Sequence, residues 1–381
     1  MCFLIVFASI GPMYAYAADS SWPFTDVSSS SAYYEGIKYC YENGIMNGMT
    51  STTFEPHSSI SRAMIVTILY RISGSSMKRA PVGFTDVSSS GYYYYAVGWA
   101  QYYGIVQGVT STTFEPNTSV TREQFITFLY RFVTSYYGYS PNLISESYVN
   151  DLEDGSKVGQ FAKTAVNWGL NCGIIPSTTT NFGPQINMIR GVCANYIFKM
   201  MTRVLGKAKA FSMRELTEGR TSEIAAEMQS MGYKTCYGYD LTVREMQYAF
   251  YNSQILFTHS HGNTSFIKLM DGSFYGYQIP QGSMSNMKLI YVSACYSGQS
   301  FITSVYNVGG AKTAIAFTDK TYASTDTNGI HVFHATFFKL LADGYSVEKA
   351  IEMADTIADE AYTGKDTGAD CIVVYGASNW K

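Results

Sequence analysis

The chain has 381 residues, of which 14% are charged, and a formal net charge of −3. This length exceeds what one hydrophobic core commonly supports, so two or more domains are expected. Lys and Arg form no cluster along the chain. The composition therefore excludes the basic footprint of a nucleic-acid-binding protein.

The first 17 residues are predicted to be a signal peptide. They form an apolar segment that is too short to span a bilayer and ends in Ala15-Tyr16-Ala17. No later segment approaches the length of a transmembrane helix. We expect cleavage near Ala18 and an exported protein with no membrane span.

The front of the chain repeats itself with a period of 60 residues. The sequence "FTDVSSS" occurs at 24–30 and 84–90, and "TSTTFEP" occurs at 50–56 and 110–116. A degenerate third copy retains Trp168, "FGP" and Arg190. The predicted repeats cover residues 20–75, 80–138 and 145–205.

Each repeat is predicted to fold as helix, loop and helix. In the first copy, Ser61 is a candidate N-cap for a helix with an apolar stripe at Ile65, Ile68, Leu69 and Ile72. In the second copy, Thr121 and Gln124 form a capping-box pattern. The Gly of "NGI" or "YGI" should end the preceding helix in a left-handed conformation, and the Pro of "FEP" should keep the connection extended.

These motifs resemble the S-layer homology repeat, because "FTDV", "FEP" and "SR" or "TR" recur in order. The resemblance implies an all-α, pseudo-threefold bundle whose grooves bind secondary cell-wall polysaccharide through Arg62, Arg122 and Arg190. An Arg in a first helical turn can offer a donor fork to a carboxylate, beside unpaired backbone amides. The family usually continues "TRAE", whereas these copies read "SRAM", "TREQ" and "IRGV". For Arg190, bracing of the bundle is an equal alternative.

From residue 207 to 381, strands and helices alternate, which predicts an α/β domain with a mostly parallel sheet. Asp271-Gly272 is the expected turn of a hairpin. The predicted strands are 208–213, 233–237, 255–258, 288–293, 313–317 and the closing "CIVVYG", and the predicted helices are 221–231, 242–251, 331–341 and 347–361.

Two of these strands deliver reactive side chains at their carboxyl ends, where ligands gather in open α/β sheets. "ILFTHSHGN" delivers His261-Gly262, and "LIYVSACYSG" delivers Cys295. An imidazole beside a thiol promotes the nucleophilic thiolate and then protonates the leaving group. The NH groups of Gly262 and Cys295 are candidate donors to an oxyanion.

These two strand ends resemble the caspase-like cysteine peptidases of clan CD. The resemblance implies a caspase-like α/β sandwich with Cys295 as nucleophile and His261 as general acid and base. Several members cut after Arg or Lys by means of an acidic residue on the next strand, and Asp319 lies just past the end of that strand here, at the same rim of the sheet as Cys295. Some also carry Asp two residues before the Cys, where this chain has Ser293. The alternative for Asp319 is a solvated loop carboxylate paired with Lys320.

The remaining histidines and cysteines receive structural interpretations. His259 and His261 could begin a metal site, but no Asp, Glu or His follows at close spacing, so neither a metal nor another cofactor is predicted. His259 is then a packing or supporting residue, and His331 and His334 are interpreted as satisfied helix histidines. Cysteines Cys40, Cys236 and Cys371 are expected to be small buried hydrophobes. Pairing of Cys172 with Cys193 stays open.

The favoured interpretation is a secreted cysteine endopeptidase, attached to the cell wall or S-layer through polysaccharide and acting on peptides or proteins. The main alternative is a non-catalytic surface protein whose caspase-like domain only binds. A wall-glycan hydrolase is disfavoured because no pair of carboxylates has a supporting context. Nucleotide enzymes and α/β-hydrolases are disfavoured because Gly-rich phosphate loops and a GxSxG motif are absent.

Overall fold

The computed structural model describes residues 22–139, 148–213, 216, 220–319, 329–361 and 371–376. The predicted signal peptide lies outside these residues. The chain divides into two compact units, one reaching Lys199 and the other starting at Met200, with residues 171–173 assigned to the second. Within the described ranges, no helix is both long and apolar enough to cross a membrane.

The first unit contains three pairs of helices, one pair for each repeat. Ser61 caps the second helix of the first pair by accepting a hydrogen bond from the amide of Met64 at 3.3 Å. Thr121 and Gln124 form the predicted capping box. The pairs are α1 (Tyr34–Glu42) with α2 (Arg62–Ser73), α3 (Tyr94–Tyr102) with α4 (Arg122–Arg131), and α5 (Lys163–Asn171) with α6 (Arg190–Lys199).

A closed ring of main-chain hydrogen bonds joins the three repeats. The amide of Ile60 donates to the carbonyl of Met188 at 3.0 Å, and the amide of Met188 donates to the carbonyl of Val120 at 2.7 Å. The amide of Val120 returns to the carbonyl of Ile60 at 3.0 Å. Each repeat therefore finds its partner in the next one, and three copies close the ring.

An Asp in each repeat holds the loop before the second helix. The carboxylate of Asp26 accepts from the amides of Phe54 at 2.9 Å and Glu55 at 2.7 Å. Asp86 and Asp154 make the same pair of bonds in the other two copies. Hydrogen bonds to an ionised carboxylate are stronger than neutral ones, so these residues fix the loop conformation.

The residue before the Pro of each loop is not extended, and this part of the prediction was wrong. Glu55 and Glu115 have φ values of 59° and 57°, and Gly183 in the third copy has 64°. A left-handed conformation is unfavourable for Glu, and the paired Asp carboxylate supplies the compensation. Gly adopts it without strain. The glycines of "NGI" and "YGI", Gly44 and Gly104, have the predicted positive φ, and Gly173 in the third copy has it too.

The second unit is built on a mixed, mostly parallel sheet of six strands in the order β2-β1-β3-β6-β7-β8. Among the strand pairs described for this sheet, only β7–β8 is antiparallel. A separate two-stranded hairpin, β4–β5, confirms the predicted hairpin, but its turn is Met270-Asp271, one residue earlier than predicted, because Gly272 already pairs with Leu269 in the strands. The strands are β1 (Ala208–Ser212), β2 (Thr235–Tyr239), β3 (Ile255–His259), β4 (Phe266–Leu269), β5 (Gly272–Tyr275), β6 (Leu289–Ser293), β7 (Thr313–Phe317) and β8 (Ile372–Gly376).

Helices cover both faces of this sheet. One apolar core contains side chains of α7, α10 and α11, and the other contains side chains of α8, α9 and the hairpin. Strands β3, β6 and β7 are buried along their whole length, which explains their continuous apolar sequences. The helices are α7 (Arg220–Ser230), α8 (Val243–Asn252), α9 (Ser300–Ser304), α10 (Gly329–Ala342) and α11 (Val347–Ala361).

Candidate functional site

The two predicted catalytic residues follow neighbouring parallel strands. In the register of β3 and β6, His259 is paired with Ser293, and the amide of Ser260 donates to the carbonyl of Ser293 at 2.9 Å. His261 and Cys295 each lie two residues beyond this last pair. Because parallel strands end at the same edge of a sheet, both residues emerge at one place.

The glycine after His261 lies directly against the turn that carries Cys295. A Cβ atom at Gly262 would lie 2.8 Å from the carbonyl oxygen of Phe266 and 3.0 Å from Cβ of Ala294. It would also lie 3.5 Å from the carbonyl oxygen of Cys295. Only glycine permits this approach, and it brings the main chain on both sides of the candidate site together.

The turn after β6 is held both internally and by the end of β7. The hydroxyl of Ser297 donates to the carbonyl of Ala294 at 2.7 Å, and the amide of Gly298 donates to the carbonyl of Phe317 at 2.6 Å. Tyr296, directly after Cys295, has a φ of 54°. Non-glycine residues rarely adopt this conformation, and such residues cluster at functional sites.

Asp319 lies at the same edge of the sheet as Cys295, as predicted. Its carbonyl accepts a hydrogen bond from the amide of Tyr296 at 2.9 Å, and its side chain is exposed. Lys320, the partner in the alternative interpretation, lies outside the described residues. The carboxylate therefore belongs to the surface around the candidate nucleophile.

Burial separates the thiols into two groups. Cys40, Cys172, Cys193 and Cys236 are buried, and burial raises the pKa of the Cys40, Cys193 and Cys236 thiols. Cys295 and Cys371 are partly exposed, so the expectation of a buried Cys371 was wrong. No disulfide joins the described cysteines, and Cys172 and Cys193 are therefore both thiols. Reactive cysteines need access as well as thiolate character, which leaves Cys295 and Cys371 as candidates in the described ranges.

Three histidines meet on the face of the sheet covered by α10. His259, His331 and His334 each place a ring nitrogen within 4.8 Å of the others, whereas His261 is exposed and is not part of this group. Nδ1 of His331 and Nε2 of His334 have no hydrogen-bond partner among the described residues. The prediction of satisfied helix histidines was therefore wrong. The spacing of the histidines in the sequence did not predict this cluster, because α10, which supplies His331 and His334, lies far from His259 along the chain.

The three arginines predicted to bind glycan, Arg62, Arg122 and Arg190, each reach from one repeat to the next. Nε of Arg62 donates to the carbonyl of Phe114 at 2.7 Å, and its Nη2 donates to the carbonyl of Gln107 at 2.7 Å. Arg190 repeats these two bonds with the carbonyls of Phe54 and Asn47 at 2.9 and 2.8 Å. Both side chains are buried, and their contacts brace the bundle, which is the alternative to glycan binding.

Arg122 is less constrained than the other two arginines. It is half-buried, and its Nη1 donates to the carbonyl of Phe182 at 2.8 Å. Pro176 stands where Asn47 and Gln107 stand in the other loops, and the third loop is one residue shorter. The carbonyl of Pro176 accepts from the amide of Thr179 at 3.0 Å instead of receiving a guanidinium.

The backbone amides at the start of α4 are not open to a ligand. The amide of Arg122 donates to the carbonyl of Ile186 at 2.9 Å, and the amide of Glu123 donates to the carbonyl of Pro184 at 3.2 Å. The first amides of α2 and α6 are engaged by the next repeat in the same way. The expectation that unpaired amides would assist these arginines was therefore wrong.

Comparison with known proteins identifies the front of the chain. Residues 23–63 and 83–126 match the S-layer homology domain. The chain carries S-layer homology domains. An endoglucanase of Bacillus sp. (strain KSM-635) is 29% identical over 187 residues, which are 49% of this chain and 19% of the endoglucanase.

Two similar proteins are named for the cell surface. The surface-layer 125 kDa protein of Lysinibacillus sphaericus is 27% identical over 153 residues, or 40% of this chain and 12% of that protein. A cell surface protein of Thermoanaerobacter kivui is 26% identical over 134 residues, or 34% of this chain and 17% of that protein. This chain thus spans less than a fifth of the length of each of these three relatives. The S-layer homology domains identify a surface protein attached to the cell wall or S-layer.

The bracing contacts predict a ranking of stability in the first unit. Arg62→Ala and Arg190→Ala each remove two charged hydrogen bonds to main-chain carbonyls, and we expect each to lower the free energy of unfolding by about 2 to 4 kcal/mol. Arg122→Ala removes one bond and should cost roughly half as much. Urea unfolding of the full chain, followed by hydrogen exchange of peptides from residues 22–199, measures these losses.

Arg71→Ala is the matched control, because Arg71 is exposed on α2 and makes one long bond to the carbonyl of Ile45 at 3.3 Å. It should change stability by less than about 0.5 kcal/mol. An Arg190→Ala variant as stable as this control would refute the bracing role.

Proposed function

We propose that this protein is a surface-attached cysteine endopeptidase whose second unit is a caspase-like peptidase domain. The observation that carries the proposal is the meeting of His261-Gly262 and Cys295 at the ends of adjacent parallel strands. The described part of the sheet also has the order that places these two strands at its centre. A central pair of strand ends, flanked by further strands, is a common position for a ligand site in α/β proteins.

The mechanism assigns a role to each group at this edge. His261 takes the proton of the Cys295 thiol, and Sγ attacks the carbonyl carbon of the scissile peptide bond. The amides of Gly262 and Cys295 stabilise the oxyanion, and His261 then protonates the departing amine. Water, activated by His261, hydrolyses the resulting thioester and releases the acid with the thiol restored. The positive φ of Tyr296 belongs to the sharp turn that presents Sγ.

Asp319 is proposed to favour substrates with Arg or Lys before the scissile bond. Its main chain contacts the residue after Cys295, and its side chain is exposed at the same rim. An ionised carboxylate there can accept two hydrogen bonds from a guanidinium. Ser293, two residues before Cys295, is buried in the strand and contributes no charge to this pocket.

Attachment is proposed to occur by binding of acidic cell-wall polysaccharide to the S-layer homology repeats. Arg122 is the best candidate for ligand contact, since it is half-buried and lacks the second carbonyl that holds Arg62 and Arg190. Its planar guanidinium suits the bidentate recognition of a carboxylate on a sugar. Arg62 and Arg190 would act mainly by keeping the bundle closed, with direct glycan contact as a further proposal for both.

Wall binding is the first test. Arg122→Ala should weaken sedimentation of the full chain with purified cell wall by about 10- to 150-fold, the loss of one charged hydrogen bond. The exposed Arg71→Ala should bind as the wild type does. Wall stripped of its polysaccharide with hydrofluoric acid should bind neither protein. Equal binding to stripped and intact wall would contradict the proposal.

Labelling with a thiol-directed peptide electrophile tests the nucleophile. Modification should map to Cys295 and disappear in Cys295→Ala, while Cys371→Ala, which removes the other partly exposed thiol of the described residues, should be labelled normally. His261→Ala should slow peptide hydrolysis by about 10²- to 10⁴-fold, and His261→Ala combined with Cys295→Ala should be little worse than Cys295→Ala alone. A folded wild type that is neither labelled nor active would favour the non-catalytic surface protein.

Short fluorogenic peptides test the role of Asp319. Asp319→Asn should lower kcat/KM by about 10- to 150-fold for peptides ending in Arg or Lys and leave a Leu peptide nearly unchanged. Asp343→Asn, which alters an exposed carboxylate paired with Lys339, is the control. Preference of the wild type for Asp or Asn, or unchanged cleavage after Arg by Asp319→Asn, would refute this assignment.

A further inference from the structure

The buried face of the second unit's sheet contains a cluster of three histidine rings. His259 is the last residue of β3, and His331 and His334 lie one turn apart on α10, so both helical side chains point to the same side. Their ring centroids are 5.3 to 6.4 Å apart, and one nitrogen of each ring lies within 4.8 Å of the other two. His259 and His334 are each only 1% exposed.

These rings are buried without the hydrogen bonds that imidazoles require. Both nitrogens of His259, Nδ1 of His331 and Nε2 of His334 lack a hydrogen-bond partner within the described residues. Buried polar atoms are nearly always paired, and leaving one unpaired costs about 1–3 kcal/mol. Four such atoms in one place indicate that a ligand belongs among them.

The surroundings keep the rings neutral. Burial and the neighbouring histidines lower the pKa of His259 to about 3, and the same two causes hold the pKa of His334 well below its ordinary value. The aromatic rings of Phe257 and Tyr291 pack on His334 with centroids 5.2 and 5.4 Å away. Neutral imidazole is the form that binds metal ions, because the ligating nitrogen must carry a lone pair.

We propose that His259, His331 and His334 bind one divalent transition metal ion of the zinc class. Three imidazole nitrogens are a known zinc ligand set, and imidazole also suits cobalt and nickel. Zn–N bonds of about 2.0–2.1 Å place tetrahedral ligand atoms about 3.3 Å apart, so the rings need only a modest rotation inward. His331 is half-buried, which leaves a side from which the ion and a fourth ligand such as water can enter.

A supporting hydroxyl lies beside the cluster. Ser293 is paired with His259 in the parallel register, so both side chains point to the same face of the sheet. Its buried Oγ also lacks a hydrogen-bond partner among the described residues. Metal-bound histidines usually donate their second ring N–H to an oxygen, and this hydroxyl, on the same face as His259, is the proposed acceptor.

The ion would link the end of β3 to the first turns of α10. This link lies within the second unit and directly before Ser260 and His261, so it would fix the strand end from which the candidate catalytic residue emerges. The proposal rests on the geometry of the three rings and does not depend on peptidase activity.

Titration of the chelator-treated full chain with Co²⁺ tests the proposal. We expect one Co²⁺ per chain, the strong visible absorption of tetrahedral cobalt, and displacement by Zn²⁺. His334→Gln and His331→Gln should each weaken binding by at least about 100-fold, at or above the upper end of losses caused by supporting residues. His57→Gln and His261→Gln, which alter the two histidines outside the cluster, should bind Co²⁺ as the wild type does.

Circular dichroism shows whether each variant is folded, and the thermal unfolding midpoint is a second readout of metal binding. Zn²⁺ should raise the thermal unfolding midpoint of the wild type and of His57→Gln, because a ligand that binds only the folded state stabilises it. It should not raise the midpoint of His331→Gln, whose half-buried ring is the easiest of the three to replace. Absence of Co²⁺ binding to the folded wild type, or equal binding by the cluster and control variants, would overturn the proposal.

Discussion

The parallel pairing of β3 with β6 is the constraint on which the candidate site depends. The register that places His259 beside Ser293 also sends His261 and Cys295 out at the same edge, and it lets Gly262 contact the turn after β6. A slip of one residue would reverse the faces of the whole strand. It would turn His259 away from α10 and toward the opposite, equally buried face of the sheet, so the same pairing specifies the histidine cluster and the presented thiol.

The first unit is held together mainly by hydrogen bonds that involve main-chain carbonyls and amides, beside a side-chain bond from Gln185 to Glu123. Three amide-to-carbonyl bonds close the ring, and the Asp carboxylates hold the loops whose carbonyls receive Arg62 and Arg190. Such a design tolerates extensive change in surface residues, as the degenerate third repeat illustrates. The shorter loop at Pro176 changes the environment of Arg122, which makes its contact between repeats different from the two equivalent contacts of Arg62 and Arg190.

Local patterns predicted most of the fold because helix and strand signals act over a few residues. The strand at 313–317 and the helix at 347–361 have the predicted limits, and the capping box at Thr121 is present. Contacts between residues that are distant in the sequence could not be predicted in this way. The carbonyls that accept hydrogen bonds from Arg62 belong to the main chain, so no residue type in the sequence marks them. The left-handed conformation of Glu55 depends on an Asp that is distant in the sequence. His331 and His259 are separated in the sequence by several helices and strands.

A crystal structure of the full chain after reaction with a peptide electrophile tests the candidate site most directly. We expect a covalent bond from Sγ of Cys295 to the peptide, with the former carbonyl oxygen within hydrogen-bond distance of the amides of Gly262 and Cys295. The imidazole of His261 should face the leaving-group side. An adduct on Cys371, or an oxygen directed away from Gly262, would contradict this expectation.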